Sequence, residues 1–376
     1  MEHSVQRIPP NAHSLGHLNQ LKKKKKMKHI LAITVLLFLT TFFSFSQSDK
    51  ATTLIDDGVA LYDQGKYTEA IDKYKESYKL DSNSVVLFSE LAMTYLALKD
   101  YVNTEKTCKR AISKFANGKG MENIYCTFGN SLDERQNHEE ALKTFSEGIS
   151  KFPNYFMLYF NKGITEYNLK RYYAARTSFQ NAIRLNPKKA SSYYYLGIIE
   201  AYFENRIPAI LTLSRFLVLE PKGKRAEVIL PYLTKKVNSM YYQQKTGDST
   251  AIYSSAKARI DTIKSSFLKV EENLLILATT SAIPGIGKEG ETEIEKFEIK
   301  LQTISELLEA YKKDSSDFYW DFLAPYFIDM EKQKFVKTFT YHINHFATND
   351  KDIENWFKNN EKEVDKFYEW NKNFKW

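Results

Sequence analysis

Apolar residues recur every three to four positions along most of this chain, and small residues punctuate them at a longer, regular interval. In the stretch Tyr155–Pro187 this pattern predicts two amphipathic helices joined by a turn. Gly163 and Ala175 are small enough to let the two helices approach, and Phe179 fills the space between them. A unit of this size cannot bury its apolar face alone, so the pattern predicts neighbouring copies.

The unit recurs along the chain in one phase. The shared small residue returns at intervals of 34, 37, 34 and 34 residues, and a Pro closes each of the last three copies. A short loop insertion at residues 117–120 explains the interval of 37, since loop closure costs little extra per added residue. Five helical pairs are therefore predicted over residues 51–221. The small residues at the shared position are Gly58, Ala92, Gly129, Gly163 and Gly197.

These spans resemble tetratricopeptide repeats, which have a period of about 34 residues with small residues, an aromatic and a closing Pro at fixed places. The resemblance covers roughly half of the chain that follows the leader. The second unit departs most, with Thr104 and Cys108 where the others carry Ala and an aromatic or Leu. The fold expected is all-α: a tetratricopeptide-repeat superhelical solenoid of about five helix-turn-helix units, followed by a C-terminal helical domain.

The resemblance implies that the first helix of each unit lines a concave groove in which a peptide or partner helix would lie. Tyr, Phe and Asn on that face combine rigid contact area with hydrogen bonding, a mixture typical of recognition surfaces. The alternative is that several of these aromatics pack against adjacent helices. A clamp for a C-terminal carboxylate is not expected, because the inner positions of the first two units carry no cation. The groove residues expected are Tyr62, Asn130, Phe160, Asn161, Tyr167, Asn168, Tyr194, Tyr195 and Tyr202.

The first 47 residues combine a polar stretch with the three parts of a secretory signal peptide. Five lysines at 22–26 precede an apolar run of 14 residues, Ile30–Phe43, and Ser44 and Ser46 supply a small-x-small cleavage site. The run is too short to span a bilayer comfortably, although an uncleaved anchor remains the alternative. We expect export to the periplasm or outer surface of a bacterium, with Met27 as the hypothesised start and membrane contact only through the transient signal peptide.

The leader also accounts for most of the positive charge. It holds seven Lys or Arg and one acidic residue, so it contributes +6 of the net charge of +8. In the remaining chain the charges are interleaved, and no basic block is left to follow a phosphate backbone. Nucleic acid is therefore not an expected partner.

Beyond Pro221 the repeat fades, and we predict a capping helix at 222–245 and an aromatic-rich helical domain at 252–376. Further helices are expected at 252–277, 291–311, 318–330, 332–346 and 350–371. The aromatics of this tail either form a core or make a surface that stacks on sugars or binds a partner, and their helical spacing favours a core. All four tryptophans lie here: Trp320, Trp356, Trp370 and Trp376.

One motif in the tail imitates a nucleotide site. Gly285, Gly287 and Gly290 spell G-x-G-x-x-G, but Pro284 and a helical pattern precede them where a dinucleotide fold requires a strand. We therefore expect no nucleotide and no other cofactor.

Residues for catalysis or metal binding are sparse. His342 and His345 share a helix face but lack the further ligands that zinc requires. Cys108 and Cys126 either form one disulfide or serve as two buried thiols. The sequence contains no recognisable set of catalytic residues, so we do not expect the protein to be an enzyme.

Two functions follow from these patterns. The first is a non-catalytic protein–protein interaction scaffold of the bacterial cell envelope that binds a peptide or protein in the repeat groove. The alternative is a glycan-binding protein or enzyme whose active surface lies in the aromatic C-terminal domain.

Overall fold

The structure is a computed structural model. It describes residues 48–116, 118–239, 266–279, 291–312, 316–346 and 350–376, with positions 23, 25–28 and 34 of the leader. The predicted signal peptide lies largely outside these residues, and the motif at Gly285–Gly290 lies wholly outside them. Every element in the described ranges is helical, which agrees with the all-α prediction. No helix among them is long and apolar enough to cross a membrane.

Each of the five predicted repeats forms a pair of helices. The observed bounds agree with the phase of the small residues, and tight turns join the two helices of a pair. The helices are α1 (48–63), α2 (Tyr67–Leu80), α3 (Val85–Ala97), α4 (Tyr101–Phe115), α5 (Met121–Glu134), α6 (His138–Lys151), α7 (Phe156–Asn168), α8 (Tyr172–Leu185), α9 (Ala190–Tyr202) and α10 (Arg206–Leu219).

The small residues allow the close approach that the sequence predicts. A Cβ added at Gly163 would lie 2.9 Å from Cε1 of Phe179, and one at Gly197 would lie 2.4 Å from Cδ2 of Leu213. Both neighbours come from the second helix of the same repeat and are buried. Because real Cβ atoms do not approach this closely, a larger residue at either position would have to displace its neighbour.

The turn within each repeat places one residue in the left-handed region, a feature that the sequence analysis missed. In the fifth repeat the N–H of Glu204 donates to the carbonyl of Ala201, and that of Asn205 donates to the carbonyl of Glu200, as in a Schellman closure. In the first repeat this position is a glycine, Gly65, but the later repeats use residues with a side chain. Those residues are Lys99, Gln136, Lys170 and Glu204, with φ between 58° and 66°.

The chain divides into two compact units, Met1–Ser131 and Leu132–Trp376. In the C-terminal unit one buried cluster extends from Ala175 on α8 through α9 and α10 to Phe367 near the end of the chain. The fourth and fifth repeats therefore share a core with the tail. The boundaries predicted at 221 and 252 stay a prediction.

The tail continues the chain with further helices. The predicted capping helix is observed as α11, and Pro231 lies inside it. The helix predicted at 291–311 begins at a capping box made by Thr292 and Glu295, and its expected apolar face is buried. The elements are α11 (Lys224–Ser239), α12 (Ser266–Thr279), α13 (Glu293–Tyr311), a π-helical turn (Tyr319–Leu323), α14 (Ala324–Lys332), α15 (Val336–His345), α16 (Lys351–Asn359) and α17 (Glu361–Asn373).

The single helix predicted at 350–371 is wrong, because two helices meet at Asn360. Its side-chain Nδ2 donates to the carbonyl of Trp356 at 2.7 Å, and its own carbonyl accepts from the N–H of Val364 at 3.0 Å. A short amide side chain competes well with the helical ladder in this way. The first of these helices begins at an acidic residue, since Asp350 accepts from the N–H of Asp352 at 2.8 Å.

Burial of the tail aromatics confirms that most of them form a core. Trp320 is 1% exposed, and Tyr326, Phe327 and Phe339 are fully buried. Trp356, Trp370 and Trp376 are partly buried at the margins.

The two cysteines are the buried thiols of the second alternative. Cys108 and Cys126 are free and enclosed. Burial raises the pKa of both thiols, so they remain protonated and act as small apolar side chains.

Candidate partner-binding site

Four of the predicted groove residues form one connected group, which we call the aromatic cluster: Phe160 and Tyr167 on α7, and Tyr194 and Tyr195 on α9. The ring centroids of Tyr167 and Tyr195 are 5.2 Å apart, and those of Tyr194 and Tyr195 are 5.3 Å apart. Phe160 joins them through a 6.3 Å contact with Tyr195. All four rings are only partly buried, so each keeps a face or an edge toward solvent.

The cluster rests on the core of the fourth repeat. Tyr195 stacks on Phe179, with centroids 5.3 Å apart and the ring planes inclined by 9°, and Phe179 is fully buried. Phe160 contacts the same ring edge-on at 5.9 Å. The alternative raised by the sequence, that these rings pack on neighbouring helices, is therefore correct for their inner faces, and only the outer edges are available to a ligand.

A cation that sequence reasoning missed borders the cluster. The guanidinium of Arg225 on α11 lies 4.9 Å from the ring of Tyr194. Its Nε donates to Oε1 of Glu220 at 2.8 Å and its Nη1 donates to Ser191 at 3.3 Å, which fixes its plane. The hydrogen bond that Arg225 donates to the carboxylate of Glu220 raises the pKa of Arg225. The 34-residue repeat spacing could have indicated this contact, because Arg225 follows its partner Ser191 by 34 residues.

The hydroxyl of Tyr167 in the cluster stays protonated at neutral pH. Burial, followed by the neighbouring phenols of Tyr172 and Tyr194, raises the pKa of Tyr167. Tyr167 can therefore donate a hydrogen bond as well as accept one.

Asn161 adds an unpaired donor to α7. Its Nδ2 is enclosed and makes no hydrogen bond to any described residue. A buried donor without an acceptor costs about 1–3 kcal/mol. The predicted neighbour Asn168 is exposed at the end of the same helix.

The remaining predicted groove residues lie elsewhere. Tyr202 is 65% exposed and contacts the ring of Tyr172 at 4.7 Å. Tyr62 and Asn130 belong to the N-terminal unit and are partly buried there. Tyr62 packs on Tyr67 at 5.2 Å.

The paired histidines of α15 are interior residues. Nδ1 of His342 lies 3.1 Å from the hydroxyl of Tyr368, and the ring of His345 stacks on Phe357 at 4.2 Å. Burial lowers the pKa of His342 to about 4. Within the described ranges, no three His, Cys, Asp or Glu side chains are arranged to hold a metal ion.

The helical pairs recur at a regular spacing, and a glycine of the first helix packs against the second helix, as in helical interaction repeats. Comparison with known proteins agrees. Family models described as "TPR repeat" and "Tetratricopeptide repeat" match residues 58–99 and 126–190. The repeats at residues 58–99 and 126–190 are tetratricopeptide repeats.

Individual relatives match the repeats. RNA polymerase II-associated protein 3 of Homo sapiens is 32% identical over 109 residues, which are 29% of this chain and 16% of that protein. A TPR repeat-containing protein of Methanocaldococcus jannaschii is 26% identical over 194 residues, which are 49% of this chain and 31% of the relative. The chain thus spans less than a third of the length of either protein. Among solved structures, PilF of Pseudomonas aeruginosa has 17% identity and a TM-score of 0.46, covering 50% of this chain and 85% of PilF.

Proposed function

We propose that this protein is a non-catalytic interaction scaffold of the bacterial cell envelope that binds a peptide or protein segment on the aromatic cluster. The observation that carries the proposal is the cluster itself, four partly buried rings bordered by the fixed cation of Arg225. Tetratricopeptide repeats serve as protein-interaction modules, and that class supports the general role.

The rigidity of the cluster favours binding. Tyr195 is stacked on a buried ring, and Arg225 is held by two hydrogen-bond partners, so little conformational entropy remains to be lost when a ligand binds. Tyr side chains offer a large apolar face and a polar end at a low entropic cost. The cluster therefore suits an extended or helical segment with apolar side chains and free backbone carbonyls.

Export is supported by the leader. A basic stretch, an apolar run of 14 residues and a small-x-small site precede the repeats. On this basis the partner is expected among envelope or periplasmic proteins.

The decisive experiment removes the cluster hydroxyls without removing the rings. The triple variant Tyr167→Phe, Tyr194→Phe, Tyr195→Phe keeps the stacking on Phe179, whereas alanine substitutions would also damage the core. Affinity recovery with crosslinking from envelope fractions is compared for the intact protein and this variant. The matched control changes an exposed tyrosine outside the cluster, Tyr173→Phe.

We expect the intact protein and the control to recover the same partner and the triple variant to bind it about tenfold or more weakly, because each lost hydrogen bond contributes about 0.5–1.5 kcal/mol. Equal recovery by all three proteins, at equal melting temperatures, would contradict the assignment of the cluster as the binding site.

A glycan-binding or catalytic tail is the second candidate. Its supporting observation is the stacked pair of Tyr341 and Trp356, 4.3 Å apart and only partly buried. Burial of most other tail rings weighs against it. A shift of tryptophan fluorescence on adding envelope glycans, lost in Trp356→Leu, would favour this candidate over the scaffold.

A further inference from the structure

The N-terminal unit contains a cavity of about 190 Å³ between α2, α3 and α4. Buried Phe88 lines it, together with the partly buried rings of Tyr78 and Tyr95. Three cations, Lys75, Lys106 and Arg110, stand among its lining residues, and no carboxylate does. The cavity shares no residue with the aromatic cluster.

The positive charge is concentrated toward one end of this cavity. The guanidinium of Arg110 lies 5.0 Å from the ring of Tyr78 and 5.9 Å from that of Phe88, and it donates a hydrogen bond to the hydroxyl of Tyr78. Lys106 is exposed one turn before Arg110 on the same helix. The guanidinium plane is therefore held in place beside an open, aromatic space.

Acidic residues lie toward the other end. Burial, followed by the carboxylates of Asp100 and Asp72, raises the pKa of Tyr95. Asp72 also lies 3.9 Å from the exposed ammonium of Lys75. A ligand's negative groups would accordingly lie near Lys106 and Arg110, away from Tyr95.

The same groove exists in the C-terminal unit, where the tail fills it. Residues of repeats one and two correspond to those of repeats four and five 105 positions later, the offset that separates Gly58 from Gly163. By this offset Phe88 corresponds to Tyr193 and Arg110 to Arg215. The equivalent of Tyr95 is Glu200.

Tail aromatics and one amide occupy that equivalent groove. The guanidinium of Arg215 lies 4.7 Å from the ring of Trp376 and 4.6 Å from that of Tyr326. It donates to Oδ1 of Asn371 at 2.5 Å, and Trp376 also contacts Tyr193 at 6.5 Å. Repeats four and five thus show what this groove accepts: aromatic rings stacked on the arginine, and an oxygen that accepts its hydrogen bond.

Two differences between the filled groove and the open copy, the cavity of the N-terminal unit, indicate what that cavity would bind. At the places of Lys75 and Lys106, the filled groove has Gln180 and Leu211. Lys106 therefore adds a positive charge that the filled groove lacks, and Lys75 adds a second one that lies 3.9 Å from Asp72, so the open copy calls for carboxylates where the filled copy uses an amide. A volume of about 190 Å³ equals about six waters at ~30 Å³ each, which is room for one aromatic side chain.

We propose that the cavity between α2, α3 and α4 is a docking site for an aromatic side chain carried on an acidic segment of a protein partner. The aromatic ring enters beside Phe88 and stacks on Arg110, and the flanking carboxylates pair with Arg110 and Lys106.

The test measures binding of a defined probe to the full chain by fluorescence anisotropy. The probe is a fluorescein-labelled peptide, Gly-Asp-Glu-Trp-Glu-Asp-Gly. One comparison peptide replaces Trp by Ala, and a second replaces the acids by Asn and Gln. The variant Lys106→Glu, Arg110→Glu reverses the charge of the cavity, and Lys79→Glu, Lys119→Glu makes the same change of charge at exposed lysines outside it.

We expect saturable binding that weakens about tenfold or more in the cavity variant, by less than about twofold in the control, and falls with added salt. Both comparison peptides should bind about tenfold or more weakly than the probe. Leu91→Trp, which fills the cavity without changing its charge, should also abolish binding while leaving the melting temperature unchanged.

Three results would overturn the proposal. These are the absence of probe binding, equal weakening by the cavity and control variants, and equal affinity for the amide peptide. Sedimentation velocity provides a further arm: if the intact chain self-associates and the cavity variant does not, the occupant is a second copy of the chain, and the partner assigned here is wrong.

Discussion

Arg110 on α4 and Arg215 on α10 hold the same place in their repeats but have opposite environments. Arg110 is exposed beside an open cavity, whereas Arg215 is 2% exposed and covered by tail aromatics. The surrounding helices differ accordingly, since every residue of α10 from Ile207 to Val218 is buried while α4 keeps a charged outer side. The comparison teaches that one helix of a repeat becomes core or surface according to what a later part of the chain supplies.

The largest expected effect is on Arg215. Arg215→Ala removes two ring contacts, the packed stem and the donor to Asn371, so we expect the free energy of unfolding to fall by about 3–4 kcal/mol. Arg110→Ala should cost less than about 1 kcal/mol, because its partners are solvated. Denaturant unfolding of both variants checks this pair, and equal losses would mean that the tail does not cover Arg215.

Acid should lower the unfolding free energy of the C-terminal unit through protonation of His342 on α15. Its pKa is about 4 in the folded chain and ~6.5 when unfolded, so the unfolded chain binds the extra proton first as pH falls. Stability of up to about 3 kcal/mol, fully present above pH ~6.5, is lost as pH falls through 4. Thermal unfolding between pH 7 and pH 4 measures this loss. His342→Gln, which does not titrate, should flatten the dependence, and an unchanged slope would exclude His342 as its source.

Close helix approach is expected to matter equally in both units. Gly58→Ala and Gly197→Ala place a Cβ 2.3 Å from Cε1 of Tyr74 and 2.4 Å from Cδ2 of Leu213, respectively. Such overpacking typically costs about 1–3 kcal/mol, partly offset by the better helix propensity of Ala. Calorimetric melting of the two variants tests this. If neither melts lower, the repeat phase is misassigned.

The smallest expected effect is a gain in stability at the left-handed turns. Lys170→Gly relieves a side chain at φ 59°, so we expect the unfolding free energy to rise by about 0.5–1 kcal/mol. The exposed mid-helix lysine of α6 is the matched control, since Lys143→Gly should lower it by about 1 kcal/mol. Changes of the same sign would show that the turn geometry is not limiting.

Sequence periodicity predicted what is local or repeated. The phase of the small residues correctly paired Gly163 with Phe179, and the 3-4 spacing predicted the buried face of α13. The mostly apolar sequence of α10 was an unused signal of a helix buried on all sides. The partner of Arg215 could not be predicted, because Asn371 lies 156 residues away and local patterns carry no information about such contacts.

For the candidate site, the sequence predicted all four cluster rings but not their mutual support. The binding role expected of Tyr194 and Tyr195 stays a prediction, and the inner faces of both rings pack on Tyr, Phe or Arg side chains. Arg225 was missed because α11 was treated as a cap rather than as a continuation of the repeat spacing. The break at Asn360 was missed because one amide side chain, rather than periodicity, determines it.

The most direct test of whether the tail covers Arg215 and leaves Arg110 open compares the two arginines in one sample. Phenylglyoxal modifies accessible guanidinium groups, and peptide mass spectrometry reads Arg110 and Arg215 separately in the native full chain. We expect Arg110 to be modified while Arg215 is protected, and both to react once the chain is unfolded. Modification of Arg215 at the rate of Arg110 in the native protein would contradict this expectation.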